Sequence, residues 1–165
     1  MKDLTPAQRC ASIIEYAINP AMALLPPKMT SDKATVMLLA IGLQESRLTH
    51  RSQIGGPAKS FLQFESGGGV KGVMTHPSSI APAQSLCQSL AVPFERPAIF
   101  QAMEFNDVLA FGLGRLLLYT DPKALPEIGD AQAAWGLYQR VWRPGKPHRQ
   151  TWDDLYNIAV KVVTE

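Results

Sequence analysis

The sequence predicts a single, mostly α-helical domain, interrupted once by a short loop or poor hairpin. Three observations carry that expectation. Apolar residues recur at helical spacing in most segments, and prolines and glycines punctuate those segments. Eight consecutive residues, Val36 to Leu43, contain nothing polar, so the helix they form must be wrapped by other elements on most sides. With 165 residues, the chain is one domain's worth and long enough to bury a core without staples. No internal repeat, low-complexity tract or linker divides it, so the domain spans 1–165.

Thr5-Pro6 is a helix start, with Thr as N-cap and Pro at the first helical position. That helix should run to about Ile18 and break at Asn19-Pro20. Ala21 to Leu25 adds a turn or two before Pro26-Pro27 closes the unit. Ser31 or Asp32 caps the buried helix, which extends to about Arg47. Thr49 to Ala58 shows no periodicity, and Gly55-Gly56-Pro57 argues for a loop or short hairpin. Lys59 to Glu65 reads as a short helix or turn ending at Ser66-Gly67-Gly68-Gly69. Three glycines are costly in conformational entropy. They mark either backbone that approaches another surface closely, a mobile lip, or an ordinary flexible connection.

Pro82 can open a helix with Ala83, Leu86, Cys87 and Leu90 on its apolar face. Pro97 opens another through Ile99, Phe100 and Met103. Asn106 or Asp107 caps a strong helix, with Leu109, Leu113, Leu116 and Leu117 in line. Gly112 and Gly114 within it point to close packing, conceivably against the buried helix. Thr120-Asp121-Pro122 stops it. Asp130 starts the next, with Ala134, Trp135, Tyr138, Val141 and Trp142 on one side, and Arg143 to Pro147 ends it. Thr151 caps the last helix, whose face is Leu155, Ile158, Ala159 and Val162.

A net charge of +2 is too mild to demand a nucleic-acid partner. Arg140, Arg143, Lys146 and Arg149 do form a basic end with interleaved aromatics, but it is one short patch. Cys10 shares a face with Ile13, Ile14 and Ala17, which makes a buried free thiol the default. Cys10 and Cys87 alone do not argue for a disulfide. His50, His76 and His148 lack metal-ligand spacing, so no metal and no cofactor is expected. The N-terminus has no signal-peptide apolar region, and no apolar run is long enough to span a bilayer. The expectation is a soluble protein made in the cytoplasm, which reaches any outside substrate by release or delivery.

The residue best placed for chemistry is Glu45. It lies four residues beyond Ile41 and seven beyond Leu38, on a helix face that is otherwise apolar. A carboxyl there loses hydration, which raises its pKa towards what a general acid needs near neutral pH. The alternative is a solvated Glu-Ser-Arg helix end.

Glu45-Ser46-Arg47-Leu48, followed by Gly56-Pro57-Ala58-Lys59-Ser60-Phe61-Leu62-Gln63, resembles the signature of soluble lytic transglycosylases and goose-type lysozymes. There a Glu-Ser pair at a helix end precedes a loop and a Gly-Ala-x-Gly-Leu-Met-Gln segment. The Glu45 to Gln63 separation matches, while Pro57 and Ser60 stand where the family has glycines and Phe61-Leu62 replaces Leu-Met. Over most of its length the chain is similar to lysozyme-like proteins encoded in phages and prophages. These share the strings Glu45-Ser46-Arg47, Gly56 to Lys59, Gln63-Phe64-Glu65 with Gly67-Gly68-Gly69, and Trp142 to His148.

The resemblance implies a lysozyme-like helical domain with a reduced β region after the Glu45 helix. It also implies cleavage of peptidoglycan between N-acetylmuramic acid and N-acetylglucosamine, with Glu45 as acid and then base. Direct-displacement glycosidases use a second carboxylate; the transglycosylase pattern needs none, and Arg51 to Gly56 holds no acid. Substrate binding would fall to Ser46, Ser60, Gln63, Glu65, Tyr138 and Trp142. Gln63 would bond a sugar N-acetyl group or orient the acid, unless it only caps backbone. Ser46 either braces Glu45 or satisfies local backbone. Residues two apart on a helix do not share a face, so if this stretch is helical and Gln63 faces a cleft, Glu65 points aside as a solvated residue beside the glycines. Phe61 and Phe64 read as core, and Trp142 as either a sugar platform or core closure.

The family's late Ala-Tyr-Asn-Ala-Gly segment, whose Tyr supports the catalytic Glu, is matched by Ala134-Trp135-Gly136 or by Tyr138 one turn on. Tyr138 is preferred, because a hydroxyl can bond where an indole offers only N–H. The partners implied are glycan strands, met by a monomer with no nucleic acid and no membrane insertion, through holin-dependent release or from a phage particle. A rival from another class is a lysozyme-like protein that binds wall or serves in the virion without cleaving. A nucleic-acid-binding accessory protein is the third reading, resting only on the basic patch.

Overall fold

In the computed structural model, which describes residues 3–165, the chain is mostly helical and no sheet forms among the described residues. The first rod comprises α1 (Pro6–Ile13), a π-helical stretch (Ile14–Ile18) and α2 (Asn19–Ala23). Thr5 caps it with a reciprocal pair of bonds. Its hydroxyl accepts from the Gln8 N–H at 3.2 Å, and its own N–H donates to Gln8 Oε1 at 2.9 Å. The expected break at Asn19-Pro20 does not occur. The Asn19 N–H bonds instead to the Ile14 carbonyl five residues back. That wide turn makes room for the Pro20 ring, and the rod continues to Ala23.

The buried helix is α3 (Asp32–Ser46), capped by the Ser31 hydroxyl, which accepts from the Ala34 N–H at 3.2 Å. From Val36 to Leu43 every side chain is at most 1% exposed. Its most extensive contact is along α9 (Arg149–Thr164), with α7 (Asp107–Tyr119) and α1 also against it. Burying one aliphatic side chain contributes about 1.5–3 kcal/mol, so this run anchors the domain. Arg9 seals the far end of α3, its Nε donating to the Arg47 carbonyl at 2.9 Å.

After Arg47 the chain turns sharply, with φ of 57° at Arg47 and 54° at Leu48. Gly42 permits that turn. A Cβ there would lie 2.5 Å from the Leu48 side chain, which folds back onto α3. The loop that follows holds only two isolated bridges, Ser52 with Lys59 and Lys59 with Phe64. Its ties to the helices are ionic. Arg51 spans Asp107 with bonds of 2.7 and 3.2 Å and lies 4.3 Å from the Phe61 ring centroid. Lys59 pairs with Glu104 at 2.5 Å.

Lys59 to Phe64 closes as a turn, its two end residues exchanging N–H···O bonds of 2.9 and 2.8 Å. Ser60 takes φ of 69°, a conformation that glycine adopts without cost. The glycine-rich stretch is not a loop. Ser66–Val70 forms a π-helical turn that runs into α4 (Lys71–Thr75).

Helices α5 (Ile80–Ser89), α6 (Arg96–Ala102) and α7 follow, then α8 (Ala131–Trp142) and α9. Helix α5 begins two residues before Pro82, where the ring is tolerated because first-turn N–H groups need no partner. Helix α9 begins at Arg149, so Thr151 sits inside its first turn, donating to the His148 carbonyl at 3.0 Å. Its buried face is Trp152, Tyr156 and Ala159, with Leu155, Ile158 and Val162 only partly covered. Cys10 and Cys87 are buried free thiols, and burial pushes them up to about 12 and about 11.

Gly114 of α7 faces α3. A Cβ there would meet Leu62 at 2.5 Å and Leu38 at 3.0 Å, both wholly buried. Gly114→Ala should therefore destabilise by about 1–3 kcal/mol through overpacking. Gly145→Ala, where nothing lies within 4 Å, should be neutral or stabilise by up to about 1 kcal/mol. Urea midpoints of the two variants measure both. Equal midpoints would mean that α3 and α7 are not in close contact at Gly114.

Candidate active site

Glu45 lies in the last turn of α3, half-buried at the wall of a groove of about 1230 Å³. The apolar run behind it fixes its depth, and the left-handed turn at Arg47 and Leu48 takes the chain away from its carboxyl. From α8, Tyr138 donates its hydroxyl to Glu45 Oε1 at 2.6 Å. Burial raises the Glu45 pKa from its ordinary 4.5, and the Tyr138 hydrogen bond offsets part of that rise. Burial, and then the charge of Glu45, push the Tyr138 phenol up, so it stays a donor.

An aromatic stack holds Tyr138 in place. Its ring lies 5.1 Å from that of Trp152, 15° from parallel, and Trp135 packs at 5.3 Å from Tyr138 and 5.4 Å from Trp152. The Trp152 indole N–H donates to the Ala131 carbonyl at 2.9 Å, fixing α9 to the start of α8. The reading of the sequence passed over Trp152. Its signal was available: aromatics at positions 135 and 138 on one helix, and at 152 and 156 on the next, each at helical spacing.

The other wall comes from the turn after the loop. Leu62 inserts between Gly42 of α3 and Gly114 of α7, and its carbonyl accepts from the Trp142 indole N–H at 2.9 Å. Phe64, 2% exposed, packs edge-on to Trp142 with centroids 5.6 Å apart. Phe61 and Phe64 are thus core, and Trp142 is half-buried with part of its surface on the groove.

Gln63 lines the groove, its Nε2 donating to the Ser60 carbonyl at 2.8 Å. Glu65 is exposed and lines the same groove, although a helical path through Gln63 would have turned it aside. The helical rule does not apply because this stretch is not helical: Glu65 is extended, with φ of −101° and ψ of 145°. Gln63 itself takes a left-handed φ of 51°, so the turn and not a helical or strand period sets where the two side chains point.

Two expected substrate contacts fall elsewhere. Ser46 is 1% exposed, and its hydroxyl lies 2.7 Å from the Phe61 carbonyl, joining α3 to the turn. Ser60 is wholly buried, and its hydroxyl accepts from the Leu62 N–H at 3.2 Å. Neither lines the groove, because each satisfies backbone where the chain turns.

Asp121 and Gln44 also line the groove, though nothing in their local sequence marks them for it. Asp121 accepts two bonds from Arg140, at 3.2 and 2.9 Å, and that pairing holds its carboxyl below the usual range. The groove thus carries one carboxyl pushed up and one pulled down. Gln44 clamps the chain entering α9, donating to the His148 carbonyl at 3.1 Å and accepting from Thr151 at 3.1 Å. Arg149 pairs with Asp153 at 2.7 Å, so two of the four cations in the basic end are neutralised by carboxylates, and Arg143 and Lys146 line the groove. Among the described residues no group of three or more His, Cys, Asp or Glu gathers as a metal site, and no helix is long and apolar enough to cross a membrane.

Set against family models, curated proteins and solved structures, the chain matches none.

The raised Glu45 pKa has a stability consequence. Below 4.5 both folded and unfolded chains hold the proton, and the native state loses nothing. As pH rises past 4.5 the unfolded chain releases first, so stability falls until the native carboxyl also ionises. Glu45→Gln removes this dependence. Its melting temperature should gain on the wild type between about pH 4 and pH 8. A constant difference across that range would place Glu45 in water.

Proposed function

We propose that this protein is a muramidase, a lysozyme or lytic transglycosylase of the kind phages and prophages encode. It acts on the bond between N-acetylmuramic acid and N-acetylglucosamine in peptidoglycan. The observation that carries the reading is the Glu45 carboxyl, desolvated at the wall of a groove of about 1230 Å³ with a phenol 2.6 Å from one oxygen. Catalytic carboxylic acids are tuned in this way by burial.

In the reaction, protonated Glu45 gives its proton to the glycosidic oxygen as that oxygen leaves the muramic acid C1. The sugar's own N-acetyl oxygen, or its C6 hydroxyl, supplies electrons to C1. Glu45, now a carboxylate, takes the proton of the C6 hydroxyl to give an anhydro end, or of a water to give a reducing end. Tyr138 holds the carboxyl in one orientation and donates to it when charged. This route needs a single acid, which suits a groove where Arg140 occupies Asp121. Gln63 and Trp142 lie where they would meet the sugars, the one through its amide and the other through its ring. The working form is a monomer acting on glycan strands, after release across the membrane or from a particle.

Clearing of purified sacculi tests the reading. Glu45→Gln should lower the rate by about 10³, in line with loss of a general acid. Tyr138→Phe should lower it by about 10–100-fold, and Glu65→Gln by less than about tenfold. Mass spectrometry of the products separates anhydro from reducing ends. Equal clearing by wild type and Glu45→Gln would remove Glu45 from its role. Binding of sacculi without clearing by the wild type would replace the enzyme with a wall-binding domain.

A further inference from the structure

A second cavity, of about 510 Å³, lies on the far side of Asp121 and Pro122 from the groove. Arg115 projects into it from α7. Its side chain is only 4% exposed, and its Nε donates to the Met29 carbonyl at 2.7 Å. Arg115 also lines the cavity, so the guanidinium sits at its wall. Among the described residues no carboxylate pairs with it. Burial lowers its pKa, because a desolvated guanidinium without a counter-ion is costly.

Two further cations line the cavity without an ion pair, Lys28 and Lys123. Lys28 Nζ and Arg115 Cζ both lie over the Tyr119 ring, 5.4 and 5.6 Å from its centroid. Two like charges therefore face one ring with no acid between them. One acid, Asp121, lines the cavity as well and feels the charge of Lys123, but Arg140 already bonds both of its oxygens, and Glu127 pairs with Lys33. A buried guanidinium fork backed by lysines is the arrangement that recognises planar or tetrahedral oxyanions.

We propose that this cavity is a second ligand site, which binds an oxyanion (a carboxylate or a phosphate) through Arg115, Lys28 and Lys123. The anion supplies the negative charge that the cluster lacks. The site is independent of the groove chemistry and stands whether or not Glu45 cleaves glycan.

Calorimetric titration of the full chain at low ionic strength, with inorganic phosphate and separately with a peptidoglycan stem tetrapeptide, tests it. Saturable binding of either probe is expected. The tighter probe names the source, a wall peptide carboxylate or a phosphate group. Lys28→Gln with Lys123→Gln, both on exposed side chains, should weaken binding about tenfold or more while leaving the fold intact by circular dichroism. Glu45→Gln should leave it unchanged. No saturable binding by the wild type, or equal binding by the double variant, would overturn the proposal. Clearing of sacculi without anion binding would remove this site and leave the groove reading standing; anion binding without clearing would do the reverse.

Discussion

The Glu45–Tyr138 hydrogen bond is the interaction on which the rest of the site turns, and it exists because α3 has no wet face. A helix enclosed from Val36 to Leu43 leaves its next carboxyl little choice of depth. At that depth a carboxylate lacks solvent partners, and one strong donor is a compensation. The donor belongs to α8, ninety-three residues away, so the bond also sets how α8 lies against the end of α3. Helix α9 completes the arrangement, because Trp152 supports the phenol ring while α9 packs along α3.

Opposite Glu45, the groove wall depends on shape rather than charge. Leu62 enters between two glycines, one on α3 and one on α7; a Cβ at Gly114 would press on Leu62 itself, and one at Gly42 on Leu48. That anchor seats a turn of six residues, Lys59 to Phe64, which brings Gln63 and the following Glu65 to the groove. Trp142 then locks the turn to the end of α8 through the Leu62 carbonyl. The two walls are thus mutually dependent, and loosening either would alter the spacing between Glu45 and Gln63.

Much of this was legible in the residues. The uninterrupted apolar run specified a wrapped helix, and the caps at Thr5, Ser31, Asn106 and Asp130 lie where local chemistry placed them. Gly114 signalled close approach before its neighbour was known. What failed were rules applied without their context. Pro20 ends an ordinary α-helix but not one with a π turn just before it. Gly67 to Gly69 looked like a loop, yet none has a left-handed φ, and the stretch continues a helical turn into α4. Ser46 takes the backbone role that was the alternative to bracing Glu45, reaching the Phe61 carbonyl across the turn, and Ser60 bonds the Leu62 N–H two residues on, so neither hydroxyl meets the groove. Trp152 and the Asp121–Arg140 pair depend on contacts between helices, which local spacing does not encode.

The central claim is that Glu45 keeps its proton beyond the range of an ordinary glutamate. The direct measurement is a carbon-13 NMR titration of its side-chain carboxyl in the intact protein, repeated in Tyr138→Phe. The expected midpoint lies above 4.5 and moves higher still once the phenol's stabilising bond to the charged form is gone. A midpoint at or below 4.5, unmoved by the substitution, would contradict it.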